Sequence, residues 1–154
     1  MEKKEIKIVG LDLDGTLLTD KKELLPYTKN VIREALQNGT VVLVATGRPW
    51  TGVPEELREL PGMDYALTAN GARIIETRTG KVLEEHLLSK EAAKKAIAIG
   101  RKYDTLLEVY FDGQGYAQKD EIAQVRKYHK NPNMWDYFLR TRIAVDSLED
   151  LLDE

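Results

Sequence analysis

The 154-residue chain contains no cysteine, which excludes disulfides, thiolate metal sites and a cysteine nucleophile. It also lacks a dominant charge: 23 Lys and Arg against 26 Asp and Glu leave −3 at pH 7. A nucleic-acid binder ordinarily shows a strong basic excess on its binding face, so this balance argues against one. Long apolar runs are missing too. The N-terminal one, Ile8-Val9-Gly10-Leu11, stops at Asp12. That is too short for a secretory signal or a membrane span, so the expectation is a cytoplasmic protein with no membrane partner. No repeat of solenoid period and no low-complexity tract is present.

What is there has the balance of a soluble globular protein, with 42% hydrophobic and 32% charged residues. A chain of this length buries roughly 70% of the surface its unfolded form exposes, enough for one ordinary domain or two small ones. The segment from Glu5 to Leu13 is apolar and β-branched, as in a strand buried on both faces of a parallel sheet. Pro26 to Gln37 reads as a helix with Val31, Ile32, Ala35 and Leu36 on one face, stopped by Asn38-Gly39. Thr40 to Ala45 is a second strand, Pro49 to Leu60 a helix with an irregular first turn, and Tyr65 to Ala69 a third strand. Alternating strands and helices imply an α/β fold with right-handed crossovers.

The pattern then changes. Ala72 to Thr77 and Lys81 to Glu84 flank Thr79-Gly80 as a β-hairpin. Ser89 caps a helix to about Lys102, with Ala92, Ala96, Ile99 and Tyr103 on one face and Ala93 and Ile97 beside them. Thr105 to Phe111 is β-rich, Asp120 to Lys130 is a modest helix broken by Asn131-Pro132-Asn133, and Arg140 to Val145 can be a strand. Asp146 or Ser147 caps a final acidic helix. The expected division is 1–84, an incomplete Rossmann-like α/β core ending in the hairpin, and 85–154, part of an α+β domain.

The strongest chemical signal is Leu11-Asp12-Leu13-Asp14-Gly15-Thr16-Leu17. Two carboxylates fall at the carboxyl end of a strand, where ligands bind in open α/β sheets. Burying both is costly unless a cation or a shared proton offsets it. That suits a pair in which one acid binds Mg²⁺ and attacks phosphorus while the other handles a proton. A calcium loop is a poor alternative, because its sixth position would need glycine where Leu17 stands. A strand-to-turn junction with two solvated aspartates is the plain alternative. Thr46-Gly47-Arg48 repeats the strand–glycine–helix arrangement, with a hydroxyl and backbone N–H groups suited to phosphate oxygens. Taken alone, such a junction is as often a routine turn. Asn70-Gly71 after the third strand is foremost a hairpin signal. His86 and His129 show no ligand-like spacing and are expected on the surface.

These three signals in this order resemble the haloacid dehalogenase superfamily, in its Cof-like sugar-phosphatase branch. Asp12 to Leu17 matches the DxDGTL motif in full. Thr46-Gly47-Arg48 and Asn70-Gly71-Ala72 match the branch's later motifs. The resemblance implies that Asp12 is the nucleophile of an aspartyl-phosphate and that Asp14 is the acid/base. Mg²⁺ would be held by Asp12 and Asp14. It further implies phosphate or substrate contacts from Leu13, Gly15, Thr16, Thr46, Gly47, Arg48 and Asn70, and a small phosphorylated metabolite as partner. The family's later lysine and acidic metal loop have no counterpart after Leu87. The expectation is therefore the N-terminal half of a longer phosphatase, poorly active alone. It would pair through an open sheet edge with the other half or another copy. A phosphoacceptor module that does not hydrolyse, and a phosphomutase, are the rival readings.

Overall fold

A computed structural model describes residues 5–153. The chain divides into two compact units, Met1–Glu85 and His86–Glu154.

In the first unit, β1 (Ile8–Leu11), β2 (Val41–Ala45) and β3 (Tyr65–Thr68) lie parallel in that order, with Leu11 opposite Val44 and Ala45 opposite Leu67. The hairpin strands β4 (Arg73–Glu76) and β5 (Val82–Glu85) extend the same sheet antiparallel beyond β3. Helix α1 spans Pro26–Gln37, its proline inside the first turn and its end marked by Gly39 at φ 82°. The sequence-predicted helix over 49–60 does not form as one piece. Pro54 and Gly52 reduce it to a 3₁₀ turn at Trp50–Gly52 and one helical turn, α2 (Glu55–Arg58).

Successive strands added in one direction with right-handed crossovers place their helices on the same face of the sheet. That face is the core. Val42, Val44, Ala66 and Ile75 are almost fully buried with Ile32, Leu57, Leu60 and Met63. The opposite face carries Ile8, Val41 and Tyr65, exposed at 63%, 37% and 38%. The expectation of a first strand buried on both faces is thus corrected: β1 is covered on one face only, where Val9 and Leu11 are partly buried and Leu11 packs against the core, and its edge away from β2 pairs with no strand among the described residues. Val31 is likewise exposed, because it lies off the stripe of α1 that Ile32 drives into the core.

In the second unit, β6 (Val109–Phe111), β7 (Gln114–Gln118) and β8 (Arg142–Val145) form a separate sheet. The β6–β7 pair is antiparallel and the β7–β8 pair parallel. Helix α3 (Lys90–Gly100) is capped by Ser89, whose hydroxyl accepts from the Ala92 N–H. Its buried residue is Ile97, while Ile99 and Tyr103 are exposed, so the apolar face is rotated from the expected centre to the flanking position of Ile97. The segment 119–128 forms two short helices, α4 (Lys119–Ala123) and α5 (Val125–Tyr128). Asn131-Pro132 ends this stretch and also begins the next. Asn131 accepts from the Asn133 N–H, and Pro132 opens α6 (Pro132–Thr141), a helix the sequence reading missed. Phe138 on α6 packs with Ala117 and Val125 to make the core. His129 is half-buried with its ring 5.6 Å from that of Phe138, which corrects its predicted surface position. A last turn, α7 (Leu148–Leu151), is capped by Ser147.

Candidate phosphoryl-transfer site

The parallel strands β1, β2 and β3 end at one edge of the sheet, and each runs directly into a loop bearing candidate residues. After Leu11 the chain makes a tight turn in which Leu17 N–H donates to the Asp12 carbonyl and Leu18 N–H to that of Leu13. Gly15 makes the reversal at φ 82°, a conformation open to glycine at little cost. The Leu13 and Leu18 side chains lie in the core and anchor the loop. Asp12, Asp14, Gly15 and Thr16 remain at its exposed surface. The Thr16 hydroxyl donates to Asp12 Oδ2 at 3.0 Å.

The loop after β2 is fixed from below. Thr46 and Arg48 are 5% and 6% exposed, unusual for polar residues and sustained by their hydrogen bonds. The Thr46 hydroxyl accepts from the Arg48 N–H at 3.2 Å, which leaves its own proton available to a phosphate oxygen. The loop after β3 is laced to it: Ala69 N–H donates to the Arg48 carbonyl and Asn70 N–H to that of Thr46. Any side chain at Gly47 would have to displace that of Asn70. A Cβ on Gly47 would lie 2.7 Å from the Asn70 side-chain oxygen.

Arg48 joins the first two loops. Its Nε donates to Asp14 Oδ2 and one terminal nitrogen to Oδ1, both at 2.7 Å, while the other terminal nitrogen donates to the Gly52 carbonyl at 2.8 Å. Lys22 Nζ also donates to Asp14 Oδ1, at 2.8 Å. The Arg48 hydrogen bonds, opposed by partial burial and reinforced by Lys22, hold the Asp14 carboxyl down at about 2. In this arrangement Asp14 is an ionised carboxylate. Arg48, expected from the resemblance to touch substrate, is instead bound to the candidate acid/base. Lys22 escaped the sequence reading, because its reach depends on a left-handed turn that residue types alone do not announce.

The fit to Mg²⁺ is partial. Asp12 presents an exposed carboxylate, of the kind that holds this ion together with waters and substrate phosphate. Both Asp14 side-chain oxygens are engaged by cations. No group of three or more His, Asp or Glu that could hold a metal gathers among the described residues.

Residues 9–149 match the family model of haloacid dehalogenase-like hydrolases, and the chain belongs to that family. It is 27% identical over 125 residues to YxeH of Bacillus subtilis, covering 79% of this chain and 46% of that protein. It is 31% identical over 101 residues to 5-amino-6-(5-phospho-D-ribitylamino)uracil phosphatase YcsE of B. subtilis, covering 66% of this chain and 40% of the relative. A haloacid dehalogenase-like hydrolase from B. subtilis superposes with a TM-score of 0.78 at 22% identity, over 97% of this chain and 57% of that one. The subclass IIB sugar phosphatase BT4131 superposes with a TM-score of 0.75, also at 22% identity, over 96% and 55%. These superpositions show the shared α/β fold with a parallel-rich sheet. The chain spans less than half the length of these two curated relatives. No helix among the described residues is long and apolar enough to cross a membrane.

Proposed function

We propose that this chain carries the phosphoryl-accepting part of a Mg²⁺-dependent phosphatase acting on small phosphate monoesters, sugar phosphates foremost. The observation that carries the reading is the convergence of the three strand-end loops, with Asp14 bound to Arg48 across 34 positions of sequence. An Asp12 oxygen attacks phosphorus, and the bond from phosphorus to the leaving oxygen breaks as that oxygen takes a proton. Water then attacks the aspartyl-phosphate, gives its proton to Asp14 and releases phosphate and the Asp12 carboxylate. In this reading the Thr46 hydroxyl and the backbone N–H groups of Leu13, Gly15, Thr16 and Gly47 hold the transferring oxygens. Bound Mg²⁺, on Asp12, would offset charge on the phosphoryl group.

The ionised state of Asp14 suits the water-activating step. The first step needs a protonated acid, so there Asp14 must leave Arg48 and gain a proton. That requirement favours a second reading in which the chain accepts a phosphoryl group and releases it slowly. Two variants test the readings in a phosphate-release assay, and the second separates them. Asp12→Asn abolishes phosphorylation in both. Asp14→Asn slows hydrolysis of the phosphorylated chain by about 10²–10⁴-fold in a phosphatase, the range of general acid–base catalysis; it changes nothing in a plain phosphoacceptor.

The edge of β1 that has no strand partner among the described residues, with the exposed Ile6 and Ile8, supports a partner segment adding strands there. The relatives, more than twice as long as the region they share with this chain, make a segment like their remaining half the partner we favour over a second copy.

A further inference from the structure

Asp14 receives three hydrogen bonds, and they are distributed unevenly. Oδ1 takes one from Arg48 and one from Lys22, and Oδ2 takes one from Arg48 Nε. Each carboxylate oxygen offers about two acceptor positions. Oδ1 is therefore filled and Oδ2 keeps one position open. Lys22 alone makes that difference, since Arg48 by itself would bind the two oxygens equally.

The chain holds Lys22 in place by an unfavourable backbone. Its φ is +65°, in the left-handed region that residues other than glycine seldom adopt. A closed turn enforces this: Lys22 N–H donates to the Thr19 carbonyl at 2.8 Å and Thr19 N–H to that of Glu23 at 3.0 Å. The Glu23 N–H also donates to the Thr19 hydroxyl at 3.3 Å. The lysine side chain is only 19% exposed, far from the solvated state usual for lysine. Backbone strain that delivers a charged group onto a site carboxylate is the pattern of a position kept for function at a cost in stability.

We propose that Lys22 is a positioning residue for Asp14: it occupies Oδ1 so that Oδ2 is the oxygen that accepts the proton of the attacking water when the Asp12 phosphoryl group is hydrolysed. This rests on the phosphatase reading of Asp14. Lys22 touches neither substrate nor phosphorus, and the proposed orientation of Asp14 is read in the second step. In that step the O–P bond to Asp12 breaks, a water oxygen bonds phosphorus, and the water proton passes to Asp14.

The test uses the whole chain with Mg²⁺ and an acyl phosphate as phosphoryl donor. The donor's carboxylate leaves without needing a proton, so formation of the phosphorylated chain bypasses the acid. Formation and decay of that species are then followed separately by mass spectrometry. Lys22→Gly removes the ammonium and relieves the left-handed strain, so its melting temperature should equal or exceed that of the parent. We expect decay about tenfold slower with formation within twofold, restored to within threefold by Lys22→Arg, and no change in Lys21→Gly, an exposed neighbour. Unchanged decay in Lys22→Gly, or equal losses in formation and decay, would overturn the proposal. If Asp14→Asn also decays like the parent, the fault lies in the acid/base reading of Asp14. If Asp14→Asn decays slowly and Lys22→Gly does not, only the role of Lys22 falls. A parent chain that takes no phosphoryl group overturns both.

Discussion

Each unit buries an arginine side chain almost completely, and the two are put to opposite use. Arg48 is 6% exposed and its partner Asp14 38%, so the pair opens toward solvent at the ends of the parallel strands. Arg142 is 5% exposed and its partner Glu108 only 19%. Its guanidinium stands 5.2 Å from the rings of Tyr110 and Tyr137 and 4.9 Å from that of Phe138. It donates to Glu108, to the Thr141 hydroxyl at 2.8 Å and to the Tyr110 hydroxyl at 2.9 Å, while Tyr110 donates to Glu108 at 2.6 Å. Burial, with the Glu108 charge, pushes the Tyr110 phenol well above its usual range and keeps it a neutral donor. The second network is closed on itself. The first ends on a carboxylate that can still meet a ligand. A buried charge alone therefore does not mark a site; a buried charge that aims an accessible one does.

The sharpest way to break this comparison is to remove each arginine. Arg142→Met leaves the Glu108 carboxylate, one residue before β6, half-buried without its cation, and should cost about 3–5 kcal/mol, the range for breaking a buried ion pair. Chemical denaturation measures the loss, and amide exchange should show it concentrated in β7 and β8. Arg48→Met should cost less, about 1–2 kcal/mol, because Asp14 is more than a third exposed and retains Lys22. Its larger consequence is chemical, since Asp14 loses the partner that orients it and holds its carboxyl low. Equal destabilisation by the two variants would mean that Arg48 is a structural residue like Arg142.

Acid sharpens the same contrast with a smaller effect. In the second unit, hydrogen bonds from Arg101 hold Glu149 at about 2, below the usual value of 4.5. A depressed carboxylate contributes stability in full above its unfolded pKa and loses it as pH falls through the folded one. The Glu149 contribution should therefore fade between about pH 4.5 and 2, and Glu149→Gln should flatten that part of the stability curve. Both partners are about a third exposed, so raised salt should weaken the effect. The Asp14 contribution fades from about 3.8 to 2 and should resist salt better, because Arg48 is buried. Equal salt sensitivity in the two windows would contradict the difference drawn between the pairs.

Much of this was legible in the sequence wherever a local rule decides the outcome. Pro26 and Asn38-Gly39 bound α1, and Ser89 and Ser147 cap α3 and α7, because capping is a matter of neighbouring residues. The carboxylates of the Asp12 loop and the Thr46 loop fall at one edge because parallel strands all end there. What could not be read depends on distant partners. The break at Asn131-Pro132 was visible, but that it opens α6 depends on Phe138 having a core to enter. The reach of Arg48 to Asp14 follows from the register of β1 on β2, and that of Lys22 from one left-handed residue. The apolar run of β1 suggested burial on both faces, yet local hydrophobicity does not say whether a neighbour exists to provide it.

That last point yields the smallest expected change in folding. Ile8 lies 63% exposed on β1, whose outer edge has no strand partner among the described residues, so its side chain contributes little to the unit that contains it. Ile8→Lys should shift folding stability by no more than about 0.5 kcal/mol, as for surface positions generally. Its effect should appear only in association. An ammonium on the uncovered face opposes burial of that face against any partner and is a common device for blunting an edge strand. Sedimentation of the chain, alone and with a segment corresponding to the remaining half of a relative, separates the cases. Complex formation lost on Ile8→Lys with the melting temperature unchanged assigns this face to a partner. A lowered melting temperature in the isolated chain would mean that Ile8 already serves its own unit, and the contrast between the core-facing and uncovered sides of this sheet would fail.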